Sequence, residues 1–271
     1  MAGSFDKDGH LDPARGLIVL CVGKKESGKS VMALALAQGY PYDIVVLDVA
    51  GDDGPMAGAG ASGSHDVVEW RGTVDTLPAS WPEEQRRTRP DGRTPRPMIL
   101  RYVPDPGSPT YLEDMDHLVG IAMTHRRCMI LWHEANVAIE SGRVPAHTRR
   151  FLRFNRHHQV TGVLCGPRTI TMDRLALGQA DLIYVFELNV PEDRKRIAGE
   201  IGWDPADFDA AVKDLGTHEY LLYDARLPKP AEGEPDLRIV HYPALPPEYV
   251  RGVERWAKGA SPARLGEGAD R

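Results

Sequence analysis

The chain is poor in cysteine and has no long apolar run, and each shortage removes a class of protein. Its three cysteines, Cys21, Cys128 and Cys165, stand singly inside apolar stretches (LIVLCVG, CMILW, GVLC) with no CxxC spacing. Such a distribution offers neither a thiolate metal cage nor a disulfide framework, and no secretory leader precedes it, so the cysteines read as reduced core residues of a cytosolic protein. No apolar stretch reaches the roughly 18 residues that suggest a membrane span. A positive excess is missing too: the formal charge is −6, which argues against a protein that coats nucleic acid with its whole surface. What the chain has is 271 residues, 42% of them apolar, enough for one sizeable core without disulfide or metal support.

From Gly16 onward, short apolar runs alternate with helical patterns, the signature of an α/β fold with a mostly parallel sheet and helices on both faces. Strands are expected over 17–22, 44–48, 98–103, 128–132, 160–165 and 182–188, most of them continuous apolar runs suited to burial on both faces. Thr110 and Glu113 form a capping-box pattern ahead of a helix that leads into CMILW. Asp204 and Pro205 open another helix, with Phe208, Ala211, Val212 and Leu215 facing inward. EYLLYD and LRIVHYP flank a Pro/Glu-rich connection and read as a C-terminal edge hairpin. Residues 1–15 read as a disordered arm, 16–257 as the domain and 258–271 as a flexible tail. The glycine-rich stretch GDDGPMAGAGASGS contains a G-x-G-x-x-G match at Gly58, Gly60 and Gly63, but no helix follows it, so it reads as a surface loop.

The sharpest pattern is Gly23-Lys24-Lys25-Glu26-Ser27-Gly28-Lys29-Ser30, which fits G-x-x-x-x-G-K-[ST] and is set between the buried run LIVLCV and the apolar helix SVMALALA. Glycines let the backbone wrap phosphates, so that successive N–H groups and the positive helix end point at them. Residues 23–31, from Gly23 through Ser30 to Val31, are therefore the candidate nucleotide-binding residues. Lys29 is placed to reach the β- and γ-phosphates, and the Ser30 hydroxyl to hold Mg2+. Such a loop serves kinases, switches and motors alike, so the second acidic position matters. CMILW ends in His133-Glu134-Ala135-Asn136, at a spacing that brings Glu134 opposite the loop on a neighbouring strand, where a carboxylate orients and activates water. A zinc-protease reading of His133-Glu134 fails, because position 137 is Val.

Two basic segments interrupt the acidic average. Residues 85–97 carry Arg86, Arg87, Arg89, Arg93 and Arg96 against Asp91 alone, as a channel-lining loop or a plain solvated one would. Residues 143–158 carry five arginines and three histidines with no acid. Among them Arg149, Arg153 and Arg156, at i, i+4 and i+7, stack like charges on one helix face. A solvated basic face and a site for an external anion both fit that stripe.

Together, the loop, Asp48 after the second strand, CMILWHEAN, RFNRHHQVTGVLCGPR and LALGQADLIYVFEL resemble the HerA-FtsK type of P-loop ATPase, of RecA/ASCE-like fold. The likeness is to the genome-packaging ATPases of tailless, membrane-containing icosahedral viruses and covers roughly residues 16–188. The resemblance implies an ATP-hydrolysing, usually hexameric ring that moves double-stranded DNA without reading its sequence, with ATP and Mg2+ as cofactors. A capsid or portal-vertex protein is an implied partner, and the location is host cytoplasm or virion. Gly23, Gly28, Lys29 and Ser30 match the Walker A loop, and Glu134 the catalytic glutamate. Arg156 is the first candidate for a finger reaching a neighbouring subunit, and Arg153 the second. His133 stands where the family has the Walker B aspartate, with Asp48 as a substitute, and Pro167 stands at the polar sensor position before Arg168. Those departures keep an ATP-binding scaffold with weakened hydrolysis as an alternative. A small-molecule P-loop kinase is another, although it leaves the arginine stripe without a role.

Overall fold

The computed structural model describes residues 11–49, 65–71, 73, 75, 77, 79–83, 95–105, 107–140, 142–230 and 236–258. The glycine-rich stretch, most of the 85–97 arginine loop and the tail beyond Lys258 lie outside the described residues.

One nine-stranded sheet runs through the molecule in the order β3-β4-β2-β5-β6-β1-β7-β8-β9. The strands are β1 (Ile18–Val22), β2 (Asp43–Asp48), β3 (Asp66–Arg71), β4 (Met98–Val103), β5 (Cys128–His133), β6 (Thr161–Gly166), β7 (Leu182–Val185), β8 (Tyr220–Asp224) and β9 (Ile239–Tyr242). Pairing from β3 through to β7 is parallel, whereas β8 and β9 are antiparallel and form the expected C-terminal hairpin. The strands anticipated as unbroken apolar runs are buried along their whole length, as a sheet covered on both sides requires.

Helices α1 (Lys29–Gln38) and α7 (Pro247–Lys258) lie on one face, over Val19, Cys21, Leu131 and Val163. The other face carries α2 (Tyr111–His125), α3 (Ala146–His158), α4 (Arg174–Gly178), α5 (Pro191–Ile201) and α6 (Pro205–Lys213), over Leu20, Leu47, Ile130 and Leu164. Asp204 caps α6 through the amides of Ala206 and Asp207, and Phe208, Val212 and Leu215 turn inward as expected. At the close approach of α3 to the sheet, a Cβ on Gly162 would strike the Phe151 ring.

Several expectations need correction. Thr110 makes no capping hydrogen bond to the α2 amides; its hydroxyl donates to Asp114 at 3.2 Å instead, so the capping box does not form. The arm expected over residues 1–15 is not loose at Leu11, which is 2% exposed because its side chain joins the core under α1 and α7. The last parallel strand stops at Val185 rather than Leu188. Beyond it the chain turns to meet the glycine loop, Phe186 N–H donating to Val22 O and Lys24 N–H to Glu187 O. Strand β3 and helices α5 and α7 were not foreseen. Among the described residues no helix is long and apolar enough to cross a membrane.

Candidate nucleotide site

The glycine loop leaves the carboxyl end of β1 and enters α1 through Gly28, whose φ of +106° no side chain adopts without strain. A Cβ at Gly23 would lie 2.7 Å from both Phe186 Cβ and Ser27 Oγ, so this glycine is required by crowding. Among the described residues no side chain caps α1, which leaves its first-turn amides to an external acceptor. The Ser27 hydroxyl is buried without a hydrogen-bond partner among the described residues. Lys29 is 8% exposed, and its Nζ donates to the Lys24 carbonyl at 2.5 Å. Burial pulls its pKa down, against the opposing influence of Cys165 and Glu134. Lys24 Nζ sits 2.5 Å from Glu187 Oε1, while Lys25, Glu26 and Ser30 are exposed and Val31 is half-buried. An orphaned hydroxyl, uncapped amides and a lysine folded back on its own loop suit a polyanion, so the residues fit the phosphates of a nucleotide.

Glu134 follows β5 in the left-handed region, at φ 55° and ψ 42°, a conformation that costs a non-glycine residue about 1 kcal/mol or more and clusters at functional sites. It is exposed while His133 beside it is buried. Its strand is not the neighbour of β1 as the spacing suggested: β6 lies between them, pairing β1 on one side and β5 on the other. Glu134 still acts electrostatically on Lys29 across that strand. Asn136 follows, its Oδ1 buried without a partner among the described residues and facing the position a Gly166 Cβ would take, 3.4 Å away. Asn136 thus puts an amide against Gly166, the residue before Pro167, and sequence reasoning passed over it.

The structure removes Asp48 as a substitute metal ligand. Its carboxylate accepts from Arg101 Nη2 at 2.8 Å with both side chains almost wholly buried, and Glu69 pairs with the same guanidinium. His133, the register partner of Asp48, is pushed down to about 4 by burial and by Arg101, against the pull of Asp48. It is therefore a neutral imidazole with its Nε2 unpartnered among the described residues. For a hard cation that prefers oxygen, Ser30 is the candidate of this group that neither burial nor an ion pair removes.

The arginine stripe divides. Arg156, first choice for a finger, donates from Nη2 to Asp181 Oδ1 at 2.6 Å, on a buried carboxylate that also takes Arg226 and the Ile18 amide. Arg149 donates to the Val144 carbonyl. Arg153 is exposed and has no hydrogen bond or ion pair among the described residues, which makes it the better placed of the two finger candidates. Arg168 is tied to Asp193 at 2.8 Å.

Next to the loop opens a cleft of about 360 Å³, lined by residues 26–31 and by Phe186, His218, Leu245, Val250 and Glu254. The last five come from the end of β7, the turn before β8, the segment before α7, and α7 itself. Apart from Val250 and Glu254, four residues apart on α7, nothing in the sequence marks them as neighbours.

The sheet order, the loop between β1 and α1 and the carboxylate two strands away define a P-loop NTPase fold. No family model and no curated protein matches the chain. Among solved structures it is similar to the genome packaging NTPase B204 from Sulfolobus turreted icosahedral virus 2 in complex with AMP. That likeness has a TM-score of 0.57 at 17% identity and covers 87% of this chain and 100% of that one. The complex of the same NTPase with ATP-gammaS gives 0.56 at 17%, covering 86% and 99%. The DNA-packaging ATPase B204 from Sulfolobus Turreted Icosahedral Virus gives 0.54 at 17%, covering 86% and 99%. At such identity the likeness is one of fold.

Proposed function

We propose that this protein is an ATP-driven double-stranded DNA translocase of the viral genome-packaging kind. The observation that carries the reading is the pairing of a phosphate-shaped loop with Glu134, held across β6 within electrostatic reach of Lys29. The AMP- and ATP-gammaS-bound NTPases of the same fold support it. On nucleotide binding, Lys29 Nζ leaves the Lys24 carbonyl for the β- and γ-phosphates, and the α1 amides and Ser27 hydroxyl donate to phosphate oxygens. Glu134 accepts the proton of a water whose oxygen attacks the γ-phosphorus, and the bond to the β–γ bridging oxygen breaks as ADP departs. Mg2+, held by Ser30 and the nucleotide, would neutralise charge on those oxygens. Copies of the chain form a ring in which Arg153 of one reaches the γ-phosphate of the next, with Arg156 second in line. Exposed arginines hold the DNA backbone without base reading. A capsid or portal-vertex protein would dock the ring, in the host cytoplasm or on the virion.

ATP hydrolysis measured with and without long duplex DNA tests the proposal. DNA stimulation is expected, falling steeply with salt, and Glu134→Gln should bind ATP while losing turnover by about 100-fold or more. No hydrolysis in either condition, with Glu134→Gln equal to wild type, would sink it.

One observation favours a second reading, an ATP-binding scaffold with weakened hydrolysis. The carboxylate expected at position 133 is a neutral imidazole and Asp48 is captured by Arg101. Tight ATP binding without turnover, and turnover created by His133→Asp, would select it.

A further inference from the structure

The cleft beside the P-loop continues past the phosphate end into a region no phosphate needs. Phe186, Leu245 and Val250 give it apolar walls of the sort that sandwich a flat heteroaromatic ring. His218 closes one side with its Nε2 engaged 3.2 Å from the Glu26 carbonyl. Glu254 is the carboxylate that α7 presents to this region, and among the described residues it has neither a hydrogen bond nor an ion pair. Its position is fixed, because Val253, Trp256 and Ala257 on the same helix are buried in the core shared with α1.

An unpaired carboxylate in a cleft that receives a triphosphate raises the electrostatic cost of binding unless the ligand brings donors to it. An ionised carboxylate offers acceptors alone, so the ligand edge that meets it must carry N–H or O–H donors, and on the flat ring that these apolar walls hold the donors are N–H groups. Resting on the triphosphate reading of the P-loop, we infer that this region is a nucleobase pocket in which Glu254 selects aminopurine nucleotides by accepting hydrogen bonds from their N–H edge. Adenine offers its exocyclic N6 amino group there, and guanine its N1–H and N2 amino groups.

Equilibrium calorimetry on the full chain tests this with ATP, GTP, purine riboside triphosphate and inorganic tripolyphosphate. Purine riboside triphosphate keeps ring, ribose and phosphates but has no N–H on that edge. A charge-assisted hydrogen bond predicts that at least one aminopurine triphosphate binds about tenfold or more tightly than purine riboside triphosphate. ATP leading assigns the adenine amino group, and GTP leading the guanine edge. Glu254→Ala should abolish the preference without weakening tripolyphosphate binding, which loss of the negative charge can only tighten, while Glu254→Gln, which keeps a carbonyl acceptor, should retain part of it. Equal affinities in the wild type, or a preference that survives Glu254→Ala, would overturn the assignment while leaving the P-loop reading intact. If neither the nucleotides nor tripolyphosphate bind, the P-loop reading falls and takes the base pocket with it.

Discussion

His133 gives the structure a pH signature that can be worked out in advance. Burial is the largest influence on its imidazole and Arg101 adds to it, so the pKa falls from 6.5 to about 4 despite the attraction of Asp48. The folded state thus disfavours the proton, and between these values the unfolded chain binds more of it. Stability from this group is therefore whole above pH 6.5 and is lost as pH falls toward 4. At about 1.36 kcal/mol per pK unit the complete loss is about 3 kcal/mol, and about 2 kcal/mol of it has gone by pH 5. Urea unfolding at pH 7.5 and pH 5.0, on wild type and on His133→Asn, isolates the contribution, since the carboxylate ion pairs are common to both proteins. Wild type should lose about 2 kcal/mol more than the variant across that interval. Parallel losses would refute a buried, proton-excluding imidazole at this position.

Two further outcomes follow from packing and charge. Gly162→Ala should cost about 1–3 kcal/mol, because the new methyl meets the Phe151 ring; urea melts should show part of this returned by adding Phe151→Leu. Asp181→Asn should cost about 3 kcal/mol in the same assay by removing the buried anion that holds Arg226, whose side chain is 16% exposed, whereas Arg156→Ala, whose side chain is 59% exposed, should cost less than about 1 kcal/mol.

The parts legible in the sequence were those whose signal is local. The glycine loop announces itself within eight residues, and the central strands do so because burial on both faces demands unbroken apolar runs. The β8–β9 hairpin was legible from the turn chemistry between two apolar runs. Strand β3 was not, since it lies at the sheet edge and is buried only at Asp66, with charged Glu69 and Arg71 exposed in the pattern. Helix α5 has as its inward stripe little more than Ile197, Ala198 and Ile201, and α7 hides Trp256 among charges. Long-range pairing decided the rest. Asp48 looked available until Arg101, fifty-three residues on, took it, and Arg156 looked free until Asp181 did. The five residues that open the cleft beyond the loop come from four separate segments, and a spacing rule links only Val250 and Glu254, four apart on α7.

That buried pairing also bears on why position 133 carries no carboxylate. Asp48 and His133 stand opposite each other on paired parallel strands, where neighbouring backbones are about 4.8 Å apart. Two carboxylates at about 5 Å repel by about 3 kcal/mol at an effective dielectric of 20, and Arg101 already shares its charge between Asp48 and Glu69. The chain has in effect placed the buried anion on β2, one strand over from position 133 on β5. His133→Asp alone should therefore be destabilised by about 3 kcal/mol, so a failure to gain turnover in that variant reports on folding as much as on chemistry. The charge-preserving test is His133→Asp with Asp48→Asn, which moves one carboxylate from β2 to β5 beside the same guanidinium. The double variant should recover stability to within about 1 kcal/mol of wild type and should need less Mg2+ for half-maximal ATP hydrolysis. If it is as unstable as the single variant, the repulsion argument is wrong, and the imidazole is there for a reason other than the charge of its neighbour.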